Sequence, residues 1–384
     1  MEHDARDRGL GKDVRAAALV VLTSRSAVLL AGYLAVVVFG YPGGHPPVRD
    51  FDNEILNLPS RFDARWYLQV ANSGYAYDLR TGSNAQQNIV FFPAFPMAIR
   101  TTAILFGGGP IGSVLAGTLL SIAAFEAALV YLGAFVRRMS TDDHAQASLW
   151  LLAFYPFSIF YGAIYTESFF LLASVGAVHH FKQREHVRAA AWGLLAGLTR
   201  PNGFLLAAPL AIQAATGVKR MNRIAAAAAP VVGLAVYSLF IWRTTGDPWM
   251  WAKGHAAWGR TYQGVFALVV DRYRMIATSG VVSYVQALPH DALNALGALF
   301  ALATVWPVAR TLGAEYAVWI LLMILPPLTA GGLISAGRFS SVLFPSFVWL
   351  ASVVPPAHRP GWVGVFAALQ AVCAAMFYTW RPLY

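Results

Sequence analysis

The sequence RFDARWYLQVANSGY occupies residues 61–75 and follows the first membrane-length apolar run of the chain. In a helix with 100° per residue, four polar side chains of this stretch share one face: Arg61, Arg65, Gln69 and Asn72. Asp63 falls near the middle of the opposite, apolar face. Such a helix lies along a membrane surface with its arginines towards water or headgroups, which leaves one carboxylate directed into the protein. Because burial of an unpaired carboxylate is costly, the position indicates a functional role for Asp63.

Asp63 also has a structural interpretation. Ser60 and Asp63 show the S-x-x-acid spacing of a capping box, in which the acid satisfies backbone N–H groups at the start of a helix. The spacing alone favours neither interpretation, so both the cap and the functional carboxylate stay open at this point.

Composition places the chain in a membrane. Of its 384 residues, 58% are hydrophobic and 12% are charged, which is roughly half the charged share of soluble domains. Apolar runs recur from end to end, so we expect an all-α, polytopic membrane protein whose single domain covers 1–384, with about eleven transmembrane helices. The net charge of +10 does not indicate nucleic acid, because Lys and Arg fall mostly in short loops, where they act as topology signals beside membrane lipids.

The order of the apolar runs gives an orientation. The first predicted span covers 16–40, and the basic residues before it place the N-terminus in the cytoplasm. Arg25 is close enough to the cytoplasmic end of this span to snorkel. Two long outer loops follow, at 41–110 and 244–286. Residues 90–106 contain two prolines and an arginine, so we expect an interfacial or re-entrant segment there, which adds to the interfacial helices of the first outer loop.

Unusual side chains lie at the outer ends of later predicted spans. Glu167 begins one span, and Arg200 and Arg338 end or begin two others. An acid in a first turn is favoured by the helix dipole, and a lone arginine is often an interfacial anchor. Guanidinium groups that converge at the membrane surface also fit a phosphate held at headgroup depth.

The second outer loop mixes aromatic and cationic residues. Lys253 and His255 lie among several tryptophans, which an aromatic belt explains and which also fit a sugar and a phosphate. Asp50-Phe51-Asp52 spells D-x-D, a short pattern that occurs often by chance, and it provides the alternative acid site, at Asp50 and Asp52. The sequence contains no P-loop, Gly-rich dinucleotide fingerprint or G-x-S-x-G motif, so a nucleotide donor is not indicated.

Five motifs, in this order along the chain, resemble the PIG-V type mannosyltransferases of the GT-C glycosyltransferase superfamily, which include GPI mannosyltransferases and bacterial relatives. They are Asp63-x-x-Trp66-Tyr67 through Gly74-Tyr75, Phe91-Phe92-Pro93-x-x-Pro96, Tyr155-Pro156 through Glu167, Arg200-x-Asn202-Gly203, and Gly337-Arg338-Phe339. The resemblance implies a GT-C-like fold and transfer of mannose, with inversion, from a polyprenyl-phosphate-mannose donor to a glycolipid or glycan acceptor on the outer (periplasmic or luminal) face.

The resemblance also assigns roles. Asp63 matches the catalytic base, and the arginines would stabilise the leaving lipid phosphate. The predicted substrate-binding residues are Arg200, Arg338, Glu167, Lys253, His255, Trp66, Tyr67 and Asn202. Because the bilayer carries the donor, we expect no metal and no other cofactor. The alanine- and arginine-rich composition favours a bacterial source, so we expect the bacterial inner membrane, with the site on the periplasmic face that the resemblance implies. A transporter or flippase of lipid-linked sugars is the alternative, and a protein that only binds lipid-linked glycans is a second one, since neither needs a base.

Overall fold

The computed structural model describes residues 2–215 and 220–383. These residues confirm the all-α prediction, and within them β-pairing is limited to one isolated antiparallel bridge between Tyr262 and Ala330. The α-helices are α1 (Glu2–Phe39), α2 (Glu54–Asn57), α3 (Ala64–Ser73), α4 (Ala94–Ala103), α5 (Gly109–Met139), α6 (Asp142–Phe154), α7 (Glu167–Lys182), α8 (His186–Thr199), α9 (Ala207–Ala215), α10 (Arg220–Thr245), α11 (Met250–Lys253), α12 (Val265–Ser279), α13 (Val281–Ala287), α14 (Pro289–Thr311), α15 (Ala314–Thr329), α16 (Ala336–Ser341), α17 (Phe344–Val353) and α18 (Arg359–Tyr378).

Long apolar helices make this an integral membrane protein. In the described part of the chain, 5 helices are long and apolar enough to cross a bilayer: Gly11–Phe39, Gly109–Met139, Met221–Thr245, Pro289–Thr311 and Pro356–Tyr378. A sixth span results if the 3₁₀ segment Pro156–Gly162 and α7, which meet at 98°, count as one broken span. The remaining apolar helices are shorter, so the count of about eleven stays a prediction.

The two predicted outer loops contain ordered helical segments. The first loop includes α2, α3 and α4, and α4 with the 3₁₀ turn Ile104–Phe106 is too short to be a candidate span, in line with an interfacial segment. Three consecutive glycines with positive φ, Gly107 to Gly109 at 81°, 69° and 68°, then turn the chain sharply into α5. The second loop contains α11, the 3₁₀ segment Gly254–Trp258, α12 and α13.

A buried arginine supports the break after α6. Arg25 does not snorkel to the membrane surface as predicted, because its guanidinium turns into the protein and donates to the carbonyl oxygens of Ser158 at 2.5 Å and Ala153 at 2.9 Å. Gln370 of α18 donates to the Ala153 oxygen as well, at 2.9 Å. Because α6 ends at Phe154 and Pro156 has no N–H to donate, the Ala153 carbonyl at this helix end needs other partners, and these side chains provide them.

Two glycines let α16 approach its neighbours closely. A Cβ atom on Gly337 would lie 2.1 Å from Cζ of the buried Phe157 ring, and one on Gly297 of α14 would lie 2.8 Å from Cα of Gly337. Only a residue without a side chain fits at these positions. The contact matters because α16 carries Arg338, whose position therefore depends on how tightly α16 packs.

We predict that Gly337→Ala destabilises the protein by about 1–3 kcal/mol, because the new methyl group overlaps a buried ring that has little room to move. Thermal unfolding in detergent measures the effect. The matched control is Gly364→Ala in α18, where an added Cβ meets nothing within 4 Å. The control should leave stability unchanged or raise it slightly, and equal unfolding temperatures for the two variants would contradict the packing argument.

Candidate functional site

Asp63 stands directly before α3, but it does not cap the helix. It occupies the N-cap position with φ of −63°, and its side chain makes no capping hydrogen bond. Ser60 donates its hydroxyl to the Leu56 carbonyl at 3.4 Å instead. The capping-box interpretation is therefore wrong. The backbone N–H of Asp63 donates to the hydroxyl of Tyr165 at 3.1 Å, which fixes the residue against the 3₁₀ segment and turn before α7.

The carboxylate of Asp63 is paired with a buried arginine. Arg338 donates from Nη1 to Asp63 Oδ2 at 2.9 Å and from Nε to Glu167 Oε1 at 3.0 Å, and its Nη2 lies 3.0 Å from the same Glu167 oxygen. The Glu167 side chain is 0% exposed, that of Arg338 is 8% exposed and that of Asp63 is 28% exposed. Arg338 thus bridges the partly exposed carboxylate of Asp63 and the fully buried carboxylate of Glu167.

Arg200 joins this bridge from the C-terminal end of α8. Its Nη1 lies 3.4 Å from Glu167 Oε1 without hydrogen-bond geometry, and Oε2 of Glu167 is buried without a hydrogen-bond partner. Arg200 and Arg338 are both buried, so the interpretation as interfacial anchors is wrong. Glu167 is the first residue of α7, which also satisfies the helix-dipole interpretation, but its main partners are the two guanidinium groups.

Aromatic rings hold the arginines in place. The guanidinium of Arg338 lies over the rings of Tyr165 at 4.6 Å and Phe160 at 5.0 Å. That of Arg200 lies over Phe339 at 5.0 Å. Cation–π contacts of this kind are worth about 0.5–2 kcal/mol and fix the plane of a guanidinium group. The arginines are therefore oriented before any ligand arrives.

A third arginine, which the site prediction missed, comes from the second outer loop. Arg260 donates from Nη2 to the Ser335 hydroxyl at 3.1 Å, and its guanidinium lies 5.7 Å from the centre of the Phe339 ring. Burial and the positive charge of Arg338 lower the pKa of Arg260 to about 10. Nothing in the local sequence separates this arginine from its neighbours, because its partners come from residues 335–339. We call Asp63, Glu167, Arg200, Arg260 and Arg338 the acid–arginine cluster.

His255 lies beside the cluster as a neutral group. One ring nitrogen, Nδ1, is 2.8 Å from the Trp251 carbonyl oxygen, and burial lowers the pKa of the imidazole to about 4, with Arg260 lowering it further and Asp63 opposing. At neutral pH the positive charge of the site therefore comes from arginines. Lys253 is not brought to the cluster, since its ammonium binds Asp247 at 2.5 Å on an exposed part of the loop.

The alternative acids and the remaining predicted residues are distributed around α3. Asp50 pairs with Arg65 at 3.3 Å, and Asp52 is exposed. Among the described residues, no group of three or more His, Cys, Asp and Glu is placed to hold a metal ion.

Arg61 is 1% exposed and binds Glu54, so the prediction that it faces water or headgroups is wrong. The reason is that α3 begins at Ala64, so Arg61 is not on the polar face of this helix.

Three further predicted residues pack near the cluster. Tyr67 is buried, with its hydroxyl 3.4 Å from the Thr166 hydroxyl. Trp66 stacks on Phe91, with ring centres 5.7 Å apart. Asn202 donates to the Met323 sulfur at 3.4 Å, and its Oδ1 atom is buried without a hydrogen-bond partner. Tyr67 is thus close in space to Thr166, the residue before Glu167. Asn202 is close to Arg200 in the sequence, two residues after it.

A cleft of about 660 Å³ runs along the exposed side of α3, and the acid–arginine cluster lies outside its lining. The lining is mixed, with polar side chains from α3 and apolar ones from the start of α5. Its residues are Asp50, Phe51, Phe62, Arg65, Trp66, Leu68, Gln69, Asn72, Gln86, Pro110 and Val114. Phe62 and Trp66 flank Asp63 in the chain, so the cleft reaches the turn that carries the acid.

Comparison with known proteins supports a glycosyltransferase. Residues 45–220 match the family described as Mannosyltransferase (PIG-V), which confirms the resemblance seen in the sequence and supports, more narrowly, a mannosyltransferase. Asp63, Glu167 and Arg200 lie inside the matched range, whereas Arg260 and Arg338 lie beyond it. No curated protein matches the chain.

Some solved structures are similar at low identity. The Archaeoglobus fulgidus oligosaccharyltransferase tethered with an acceptor peptide has a TM-score of 0.45 and 12% identity, over 93% of this chain and 55% of that one. The archaeal oligosaccharyltransferase from the same organism, in complex with an inhibitory peptide and a dolichol-phosphate, has a TM-score of 0.44 and 12% identity, over 94% and 56%. This chain spans about half the length of these relatives.

We predict that Arg338→Gln destabilises the protein by about 3–5 kcal/mol, because it leaves the buried Glu167 carboxylate with a single cation. Unfolding in detergent provides the measurement. Arg65→Gln is the matched control, since that arginine is 48% exposed and its ion pair with Asp50 should contribute about 0–1 kcal/mol. Adding Glu167→Gln to Arg338→Gln should recover part of the loss, and a double variant less stable than the single one would argue against the bridge.

Protonation of His255 should make the protein sensitive to acid. The folded pKa of about 4 lies below the ordinary value of 6.5, so the unfolded chain binds a proton first, and folding stability falls as pH drops from 6.5 to 4. We predict that His255→Gln reduces this loss of stability over that range, measured by unfolding at stepwise pH. A variant with the same pH profile as the unaltered protein would show that this histidine is not buried neutral.

Proposed function

We propose that this protein is an inverting mannosyltransferase that moves mannose from a polyprenyl-phosphate-mannose donor to a lipid-linked or glycan acceptor at the outer face of a bacterial inner membrane. The observation that carries the proposal is a partly open carboxylate, Asp63, held 2.9 Å from a buried arginine and surrounded by further cations. The family match over 45–220 supports mannose as the sugar. The donor, the stereochemistry and the membrane face are parts of the proposal.

The ends of α5 support an outer site. Near its first end, Ser113 donates its hydroxyl to Asn72 of α3 at 2.7 Å, so the segment that carries Asp63 packs there. At its other end, Arg137 pairs with Asp13 close to the N-terminus. A helix of 31 residues is about 46 Å long, enough to cross a bilayer. Because basic residues favour the cytoplasmic side, the site is then on the outer side.

The transfer is a single displacement. The acceptor hydroxyl oxygen attacks C1 of mannose from the face opposite the phosphate, the bond from C1 to the phosphate oxygen breaks, and configuration inverts. The hydroxyl proton goes to Asp63, the general base, and the leaving polyprenyl phosphate keeps the electron pair. Asp63 is suited to this role because it is 28% exposed, while Arg338 holds one of its oxygens and keeps the carboxylate oriented.

Glu167 is a positioning residue in this scheme. Its side chain is fully buried, and its Oε1 atom faces both Arg338 and Arg200, so an acceptor hydroxyl has no access to it. Its charge instead allows two guanidinium groups to stay close together. The leaving phosphate needs positive charge rather than a proton, and in this scheme it comes from cluster arginines that are not fully engaged by the two carboxylates, with no metal or nucleotide.

We place the acceptor in the cleft beside α3, whose lining includes Phe62 and Trp66, on either side of Asp63 in the chain. Its α3 side offers Gln69, Asn72 and the ring of Trp66, which fit sugar hydroxyls and a sugar face, and its α5 side is apolar. An acceptor with a sugar headgroup and a lipid portion matches both sides. From this cleft a hydroxyl approaches the turn that carries Asp63.

We predict that Asp63→Asn lowers transfer by about 10²-fold or more while the protein stays folded, because the amide cannot accept the hydroxyl proton. Initial rates with polyprenyl-phosphate mannose and a lipid extract measure the effect. Asp52→Asn is the control, since Asp52 is the exposed acid of the D-x-D sequence and does not line the cleft. Normal turnover by Asp63→Asn, or loss of transfer in Asp52→Asn alone, would argue against Asp63 as the base and favour the D-x-D sequence.

The same assay separates the enzyme from the transporter or flippase. In proteoliposomes, radiolabelled donor should yield a new mannosylated product when an acceptor is present, and intact donor should not change leaflet faster than in empty vesicles. Movement of the intact donor without a new product would favour the carrier. Binding without either outcome would favour a lipid-linked glycan receptor.

A further inference from the structure

We infer that Arg200 and Arg260 form the anion site of this protein and bind a phosphate ester, while Arg338 takes no direct part because two carboxylates already occupy it. The anion site follows from the contacts of the arginines alone. Its identification with the lipid phosphate of the donor rests on the proposed function.

The charges of the acid–arginine cluster do not balance. Three guanidinium groups, those of Arg200, Arg260 and Arg338, face two carboxylates, those of Asp63 and Glu167, which leaves an excess of one positive charge. His255 adds no charge at neutral pH. An uncompensated charge in a desolvated site is destabilising, so the cluster favours the binding of one anion.

Arg338 has the least capacity for a further ligand. Its Nε and Nη2 atoms face Glu167, its Nη1 atom donates to Asp63, and two aromatic rings lie against its guanidinium group. A phosphate could reach these N–H groups only by displacing a carboxylate. This arginine therefore orients the base and the buried acid.

Arg200 and Arg260 have unused donors. Nη1 of Arg200 lies 3.4 Å from Glu167 Oε1 but forms no hydrogen bond, and the guanidinium of Arg260 donates to an uncharged group, the hydroxyl of Ser335. Both guanidinium groups lie against the ring of Phe339, at 5.0 Å and 5.7 Å, so two like charges are neighbours in a partly dry site. A phosphate that accepts hydrogen bonds from both relieves this repulsion and uses the free donors.

The backbone holds Arg260 in this position. Gly331 donates its N–H to the Thr261 carbonyl at 3.0 Å, and Gln263 donates to the Thr329 carbonyl at 3.0 Å. The second outer loop is thereby fixed to the segment that leads into α16, which carries Phe339. The anion site is thus preorganised from two distant parts of the chain.

Binding of a non-reacting phosphate tests the inference. We choose a short-chain polyprenyl phosphate, which resembles the leaving group, and inorganic phosphate, and measure their affinities for the purified full chain by calorimetry. Arg260→Gln should weaken binding of the polyprenyl phosphate about 10–100-fold, the loss of one hydrogen bond between charged groups, and Arg260→Lys should weaken it less. Arg274→Gln is the control, because Arg274 is exposed on α12.

The outcomes are distinct. Unchanged affinity in Arg260→Gln, with Arg274→Gln as reference, would overturn the anion site. Arg200→Gln is a second variant whose unfolding temperature is checked first, and a folded form with full affinity would also overturn it. Equal affinity for inorganic and polyprenyl phosphate would keep the site and reject the lipid phosphate as its particular ligand.

Failure of the proposed function would look different. Asp63→Asn should bind the polyprenyl phosphate at least as tightly as the unaltered protein does, because it removes a negative charge from the cluster, while losing transfer. If the unaltered protein binds the polyprenyl phosphate through Arg260 and transfers no mannose to any acceptor in the extract, the proposed function fails and the anion site stands. If the unaltered protein transfers mannose and Arg260→Gln binds the polyprenyl phosphate with normal affinity, the anion site fails and the proposed function stands.

Discussion

The bridge made by Arg338 is the interaction on which the site depends. It connects Asp63, 275 residues earlier in the chain, with Glu167, 171 residues earlier, and so joins the start of α3 to the start of α7. A buried ion pair contributes little net stability once desolvation is counted, but it selects one arrangement strongly, because any other leaves a charge unpaired in a dry environment. Around this bridge the aromatic rings and the close packing of α16 have a common result: they fix where the guanidinium groups point. Charge pairing therefore determines which side chains meet in the site, and packing determines how they are oriented.

The sequence predicts the elements well and their partners incompletely. Hydropathy and low charge predict the all-α membrane fold, and the position of Asp63 on an apolar face predicts that it turns inward. Glu167, Arg200 and Arg338 are singled out because each lies where an apolar run begins or ends, and the structure brings the three side chains together. The partners of charged side chains are harder to predict. Arg25, Arg61 and Arg260 are each matched by groups that lie close in space only after folding, and Arg25 reaches carbonyls 128 and 133 residues away. Local rules therefore assign them to surfaces or miss them.

The capping-box error has the same origin. The spacing of Ser60 and Asp63 satisfies a local rule, but Arg338 offers the carboxylate a charged partner, which is stronger than a backbone N–H near water. The number of spans does not follow from hydropathy, for another reason. Several apolar helices, such as α8 and α17, are shorter than a bilayer is thick, and a broken element such as the segment before α7 turns through 98°. Hydropathy counts apolar segments, but it does not tell which of them cross the bilayer.

The contacts of Arg25 have a consequence for how the protein responds to its surroundings. This arginine ties α1, which has lipid-exposed leucines and valines along much of its length, to the carbonyls at residues 153–158. Glu167 follows that segment after a short turn. A bilayer that is thicker or thinner than the apolar length of α1 tilts or shifts the helix. Because Arg25 couples α1 to the broken helix, we expect such a tilt to displace the segment that leads to Glu167, which links the thickness of the host membrane to the position of the ion pairs.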